Sequence, residues 1–146
     1  MRHKISEVLA RSELIYDRFE IEQSIDHMAL KIRKDYHEQF PVFLTLMHGG
    51  MLFAARLALE MGVDAEFDYL HATRYHGETK GSGLAWLHRP ATIIEGRSVL
   101  LVDDILDEGH TLKAVRDWCE DQGAIKVKIA VMTTKQHDRC VPGLKA

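Results

Sequence analysis

Cysteine and proline are scarce, with two and three residues respectively in a chain of 146. The two thiols, Cys119 and Cys140, have no CxxC partner, which excludes a disulfide-stapled miniprotein and a four-cysteine metal site. Both are expected to be free, as in a reducing compartment. No apolar run approaches the roughly 20 residues of a membrane span; stretches such as Val42–Leu46 and Val99–Val102 end far short of it. The N-terminus mixes charges every few residues and carries no apolar signal segment, so a cytoplasmic location is expected. Neither sign of charge dominates. The 19 basic and 22 acidic residues leave a net charge of −3 with neutral histidine, which disfavours non-specific nucleic-acid binding. The nine histidines include no HExxH pair, and no Walker A lysine loop or DxDx[TV] phosphatase motif occurs.

What remains is the composition of one globular domain, 46% apolar and 28% charged. A chain of this length buries about 68–70% of its unfolded surface and needs no staples. Apolar residues at helical spacing predict helices over residues 4–15 and 20–38, the second with Ile21, Ile25, Met28, Ile32 and Tyr36 inward. Strands are predicted at Val42–Met47, Ala65–Leu70, Leu84–Leu87, Ser98–Val102 and Ile125–Met132. Between them, Met51–Met61 reads as a helix with Leu52, Ala55 and Leu59 on one face and Gly62 as its stop. Thr111–Gln122 reads as another, with Leu112, Val115 and Trp118 inward. The polar, glycine-bearing stretch from Thr73 to Gly83 reads as a mobile loop. Alternating strands and helices imply an α/β fold with a mainly parallel central sheet flanked by helices. The expected organisation is one domain over 1–146: a helical part to residue 38, an α/β core over 39–135, and a short C-terminal segment over 136–146.

Ligands of such sheets bind beyond the carboxyl ends of the strands, which directs attention to Met47–Gly50, Asp103–Thr111 and Thr133–Lys135. The most informative stretch is Val99-Leu100-Leu101-Val102-Asp103-Asp104-Ile105-Leu106-Asp107-Glu108-Gly109-His110-Thr111. A buried strand delivers two adjacent carboxylates, then a third, then a glycine turn into a helix. Carboxylates leaving a core need hydroxyls or a metal as partners. A helix N-terminus offers backbone N–H groups and the positive end of a dipole to a phosphate. A sugar phosphate satisfies both demands. Three acids after a strand also fit a receiver-like metal pocket or a Walker-B-like strand end, but the loops those sites require are missing.

This stretch resembles the phosphoribosyl pyrophosphate-binding motif of type I phosphoribosyltransferases, most closely the hypoxanthine-guanine phosphoribosyltransferases. The likeness extends over roughly residues 40–135. It implies that Asp103 and Asp104 hold the ribose hydroxyls and help position Mg²⁺. It makes Asp107 the general acid/base near purine N7, and wraps Asp107, Glu108, Gly109, His110 and Thr111 around the 5′-phosphate. Glu108 departs from the family, where a hydroxyl residue is common, so only its backbone is expected to serve the loop. The turn at His48-Gly49-Gly50 resembles the family's pyrophosphate loop, in which a basic residue precedes the glycines and a non-proline cis peptide precedes that residue. His48 takes the basic place, and a cis Met47–His48 bond is expected. Arg74-Tyr75 stands where relatives carry a Ser-Tyr pair on a closing loop; Tyr75 matches and Arg74 departs. Lys135 matches the lysine that donates to the purine 6-oxo group, a donor-only partner that disfavours adenine.

The resemblance therefore implies transfer of a 5-phosphoribosyl group from phosphoribosyl pyrophosphate to a 6-oxopurine, with nucleotide and pyrophosphate as products. Homodimeric or homotetrameric assembly is implied, without nucleic-acid or membrane partners. Two alternatives stay open: a phosphoribosyltransferase for another base (xanthine or a pyrimidine), and a regulatory binding protein reusing the fold. The family continues beyond Lys145-Ala146 into residues that stack on the purine, so the hood over the base is expected to be incomplete here.

Overall fold

The computed structural model describes residues 5–74 and 84–146. Its elements are α1 (Ile5–Leu9), α2 (Arg18–Tyr36), β1 (Val42–Leu46), α3 (Met51–Met61), β2 (Glu66–Arg74), β3 (Leu84–His88), β4 (Ser98–Leu106), α4 (His110–Asp121) and β5 (Lys126–Thr134). The five strands form one sheet in the order β3-β2-β1-β4-β5. β1 runs parallel to both β2 and β4, β4 runs parallel to β5, and among the described residues only the β2–β3 pair is antiparallel. The mainly parallel α/β expectation holds.

Two apolar layers cover the sheet. On one face α2 and α3 bring Ile25, Ala29, Ile32, Tyr36, Phe53, Leu57 and Met61 against Phe43, Leu100 and Val102. On the other, Leu112, Val115 and Cys119 of α4 meet Leu44, Leu101 and Ile129. Alternation along the strands explains the split: successive side chains of Val99–Val102 enter opposite layers, so all four are buried. Tyr36 is fully buried, and its hydroxyl donates to the Val99 carbonyl oxygen at 3.1 Å, satisfying the one polar atom it takes inside.

Several sequence expectations need correction. The first helix is five residues rather than twelve, and Ile5, Val8 and Leu9 are all exposed; with nothing to pack on, propagation does not repay nucleation. α3 has the expected ends, but its inward stripe is Phe53, Ala54, Leu57 and Met61, while Leu52, Ala55 and Leu59 face outward. Arg56 and Glu60, four apart, share the side of Leu52 and Leu59 and keep that side in water. β2 runs on to Arg74, so Thr73 and Arg74 are strand rather than loop. β4 does not stop at Val102: Asp103 pairs with Val131 and Leu106 with Thr134, so the acid pair lies on the strand itself. In α4, Cys119 joins Leu112 and Val115 as a buried residue, while Trp118 packs inward on the core but is only partly buried. Among the described residues no helix is long and apolar enough to cross a membrane.

Candidate active site

The carboxyl ends of β1, β4 and β5 carry the residues that the motif analysis picked out. After β1 the chain turns sharply, and the Met47–His48 peptide is cis, as expected. The two glycines that follow lie in close quarters. A Cβ on Gly50 would stand 2.8 Å from the carbonyl oxygens of both Leu46 and Val102, and one on Gly49 would stand 2.9 Å from Asp104 Oδ2. Backbone cannot yield at Gly50, so the turn lies hard against β4 only because Gly50 lacks a side chain, whereas at Gly49 the Asp104 carboxylate would have to move aside. His48 is exposed at the mouth, its ring edge-on to that of His71 with centroids 4.6 Å apart.

Asp103 and Asp104 are partly buried at the same edge. Burial raises the Asp103 carboxyl to about 7; the Asp104 backbone N–H, donating to its Oδ1 at 2.9 Å, opposes this, and the Asp104 charge adds to it. Two oxygen-donor groups side by side, one of them costly to ionise without a cation, form a set suited to a hard divalent ion or to sugar hydroxyls.

The turn after β4 leads into α4 through Gly109, which has φ +81° and gives no side-chain cap to the helix. The first N–H groups of α4 are therefore available at a cleft of about 420 Å³ lined by Arg74, Asp103, Asp107 and residues Glu108–Leu112. A Cβ at Gly109 would lie 2.5 Å from Leu144 Cδ2. The C-terminal residues hold this turn from behind: Leu144 is buried in the core and the Val141 N–H donates to the Glu108 carbonyl at 2.9 Å. The Glu108 carboxylate is shared between His110 Nε2 at 3.5 Å and Arg139 Nη1 at 3.6 Å. Its charge is thus paired by cationic or polar groups of the loop's own surroundings.

Asp107 is the hub. Its Oδ2 accepts from Lys135 Nζ at 2.5 Å and its Oδ1 lies 2.7 Å from His137 Nε2. The Lys135 hydrogen bond, then that of His137, holds the Asp107 carboxyl below the usual carboxylate range. Lys135 is itself placed by its backbone N–H, which donates to the Leu106 carbonyl at 2.9 Å. Arg74 reaches the cleft from the end of β2, whereas Tyr75 lies outside the described residues. Trp86 and Trp118 meet edge to face with centroids 4.8 Å apart and pack on the core, in keeping with structural roles. His137 was not among the sequence candidates. The signal available was the run Lys135-Gln136-His137-Asp138-Arg139 at a strand end that already carried interest.

The phosphoribosyl transferase domain model matches residues 12–142. The chain is 34% identical over 123 residues to a hypoxanthine-guanine phosphoribosyltransferase of Streptococcus pneumoniae, covering 84% of this chain and 68% of that protein. It is 32% identical over 130 residues to one from Streptococcus pyogenes, covering 88% and 72%. Among solved structures, a hypoxanthine phosphoribosyltransferase from Staphylococcus aureus superposes with a TM-score of 0.85 at 20% identity, over 98% of this chain and 79% of that one. The fold is that of the type I phosphoribosyltransferases, and the chain belongs to the phosphoribosyl transferase domain family.

Proposed function

We propose that the protein transfers the 5-phosphoribosyl group of phosphoribosyl pyrophosphate to a 6-oxopurine, hypoxanthine or guanine, giving IMP or GMP and pyrophosphate. The observation that carries this reading is the Lys135 ammonium seated on the Asp107 carboxylate, beside the uncapped N-terminus of α4. The names of the Streptococcus relatives point to the same substrates.

In this reading the backbone N–H groups of Gly109, His110 and Thr111 take the 5′-phosphate, with Asp107 and the Glu108 backbone completing the turn. Asp103 and Asp104 take the ribose hydroxyls, and His48, Gly49 and Gly50 receive the pyrophosphate. Arg74, at the cleft from the end of β2, adds a cation toward the pyrophosphate. The paired acids, one ionised only at a cost, fit Mg²⁺; when bound it would neutralise the pyrophosphate leaving group. Purine N9 attacks C1′ as the bond to pyrophosphate breaks, and the purine proton passes to Asp107. Lys135 donates to O6, which an adenine amino group cannot accept. The protein's own contribution is positioning and fixed dipoles.

Incubation of the purified protein with phosphoribosyl pyrophosphate, Mg²⁺ and a panel of hypoxanthine, guanine, xanthine, adenine and a pyrimidine tests the reading. Nucleotide from the first two bases, lost in Asp107→Asn, is expected; nucleotide from only the other bases, or tight binding without turnover, overturns it. Residues 1–146 act as one domain in this account, with assembly into a homodimer or homotetramer to be read by light scattering.

A further inference from the structure

His137 lies two residues past Lys135, and the mechanism above gives it no task. Its imidazole is nonetheless the most enclosed side chain on Asp107: 15% exposed, against 55% for Lys135. Its two nitrogens are both committed. The Arg139 backbone N–H donates to Nδ1 at 3.1 Å, so Nδ1 presents a lone pair and the ring proton sits on Nε2, 2.7 Å from Asp107 Oδ1. The imidazole is thereby a donor toward the carboxylate, held from behind by main chain.

We infer that His137 is a positioning residue for Asp107, a neutral Nε2–H donor that fixes the carboxylate by one oxygen and leaves the other for Lys135 and the purine. The inference rests on the assignment of Asp107 as proton acceptor. The two partners of Asp107 differ in kind. Lys135 is a half-exposed cation that a 6-oxo group competes for, and its departure frees Oδ2 to receive the purine proton. His137 stays on Oδ1, so the carboxylate does not swing when Lys135 turns to the base. Nor does His137 relay the proton: Nε2 already carries one, and the Nδ1 lone pair is occupied by the Arg139 N–H. Among the described residues, Lys135 also sits on this carboxylate, and the other charged groups of its cleft are Asp103 on β4, Arg74 on β2, and Glu108 with its partners His110 and Arg139. All of these are kept in the variants below, so differences between variants report on His137.

Nitrogen-15 NMR of the full chain should show the Nε2–H tautomer at His137, and carboxyl carbon-13 NMR should follow Asp107 through its titration. In His137→Ala the Asp107 midpoint rises, by about one unit, and in His137→Gln, which keeps a neutral donor at a similar reach, it returns toward the wild-type value. In steady-state assays His137→Ala lowers kcat about ten-fold or more, moves the acid limb of the kcat profile to higher pH and leaves KM for phosphoribosyl pyrophosphate unchanged, and His137→Gln recovers most of the loss. A wild-type Nδ1–H tautomer overturns the inference, as does an unshifted Asp107 midpoint in His137→Ala or a His137→Gln midpoint displaced as far as that of His137→Ala. The tautomer requires no variant, so a poorly folding His137→Ala does not leave the matter open. Should the wild type transfer phosphoribosyl to none of the bases, the proposed function fails, while the NMR arms still decide the contact.

Discussion

A lone ammonium at a strand end is ordinarily a solvated charge; what sets Lys135 apart is the carboxylate against which it rests. The Lys135→Ala variant should lose about 10- to 100-fold in kcat/KM for hypoxanthine and guanine, the scale of one charge-assisted hydrogen bond. Its discrimination against adenine should narrow in the same steady-state assay; an unchanged base preference would remove Lys135 from purine recognition. Asp103 gives the opposite kind of prediction. Burial raises its folded pKa to about 7 from 3.8, so its contribution to stability is complete below about 3.8 and is lost as pH rises through 7. Asp103→Asn cannot ionise, and at pH 8 it should melt on the order of 3–8 °C above the wild type, with the gap closing toward pH 4. Phosphoribosyl pyrophosphate with Mg²⁺ should no longer raise its melting temperature. Acids, glycines and lysine were legible from the sequence because the chemistry demands those residue types at those spacings. The task of His137 was not, because its partner lies 30 positions away in sequence.

At the scale of elements, the inward face of α2, with Ile25, Ile32 and Tyr36, follows its periodicity, but the helix opens at Arg18, two residues before the expected start. α2 opens with a capping box: the Asp17 carboxylate accepts from the Glu20 N–H at 2.9 Å and the Glu20 carboxylate accepts from the Asp17 N–H at 2.8 Å. Asp17→Ala should cost about 1 kcal/mol in urea unfolding. The far end of α2 is tied to α3 by Arg33, whose guanidinium donates to the Met61 and Glu60 carbonyls at 3.2 Å. That contact covers the carbonyls left open at the end of α3, a task for a cation near a helix C-terminus. In α3 the outward side was marked by Arg56 and Glu60, four apart and on the side of Leu52 and Leu59, so the charges rather than the apolar spacing carried the signal. The length of β4 was illegible from polarity: it changes at Asp103, but pairing with β5 carries the strand four residues further.

At the scale of the molecule, several carboxylates are held in ionised form by the fold. A hydrogen bond from Lys128 lowers the Asp35 carboxyl, and one from Lys113 lowers that of Asp117. Groups with depressed folded pKa values stabilise above the unfolded value of about 3.8 and lose that contribution as pH falls through the folded one. The urea midpoint should therefore drop steadily below about pH 4, and an Asp35→Asn, Asp117→Asn double variant should show a shallower drop. Both pairs are substantially exposed, so added salt should flatten the same slope. An acid slope indifferent to both changes would show that other groups govern the low-pH loss.

Sequence by itself determined the α/β class, the parallel preference, the acid-acid-x-x-acid-x-Gly-x-Thr turn and the lysine that follows the last strand. These rest on local patterns: apolar runs for buried strands, glycine where a side chain has no room, charges at the one sheet edge where ligands gather. Tertiary structure alone decided the rest. The sheet order places β1 between β2 and β4, which brings the Gly49-Gly50 turn within van der Waals reach of Asp104. Packing selected the Phe53–Leu57 stripe of α3 and left Leu52 and Leu59 in solvent. The return of the C-terminal segment onto the core set Leu144 behind Gly109 and His137 on Asp107. Contacts between segments far apart in the chain depend on how layers stack, and residue spacing along one segment does not carry that information.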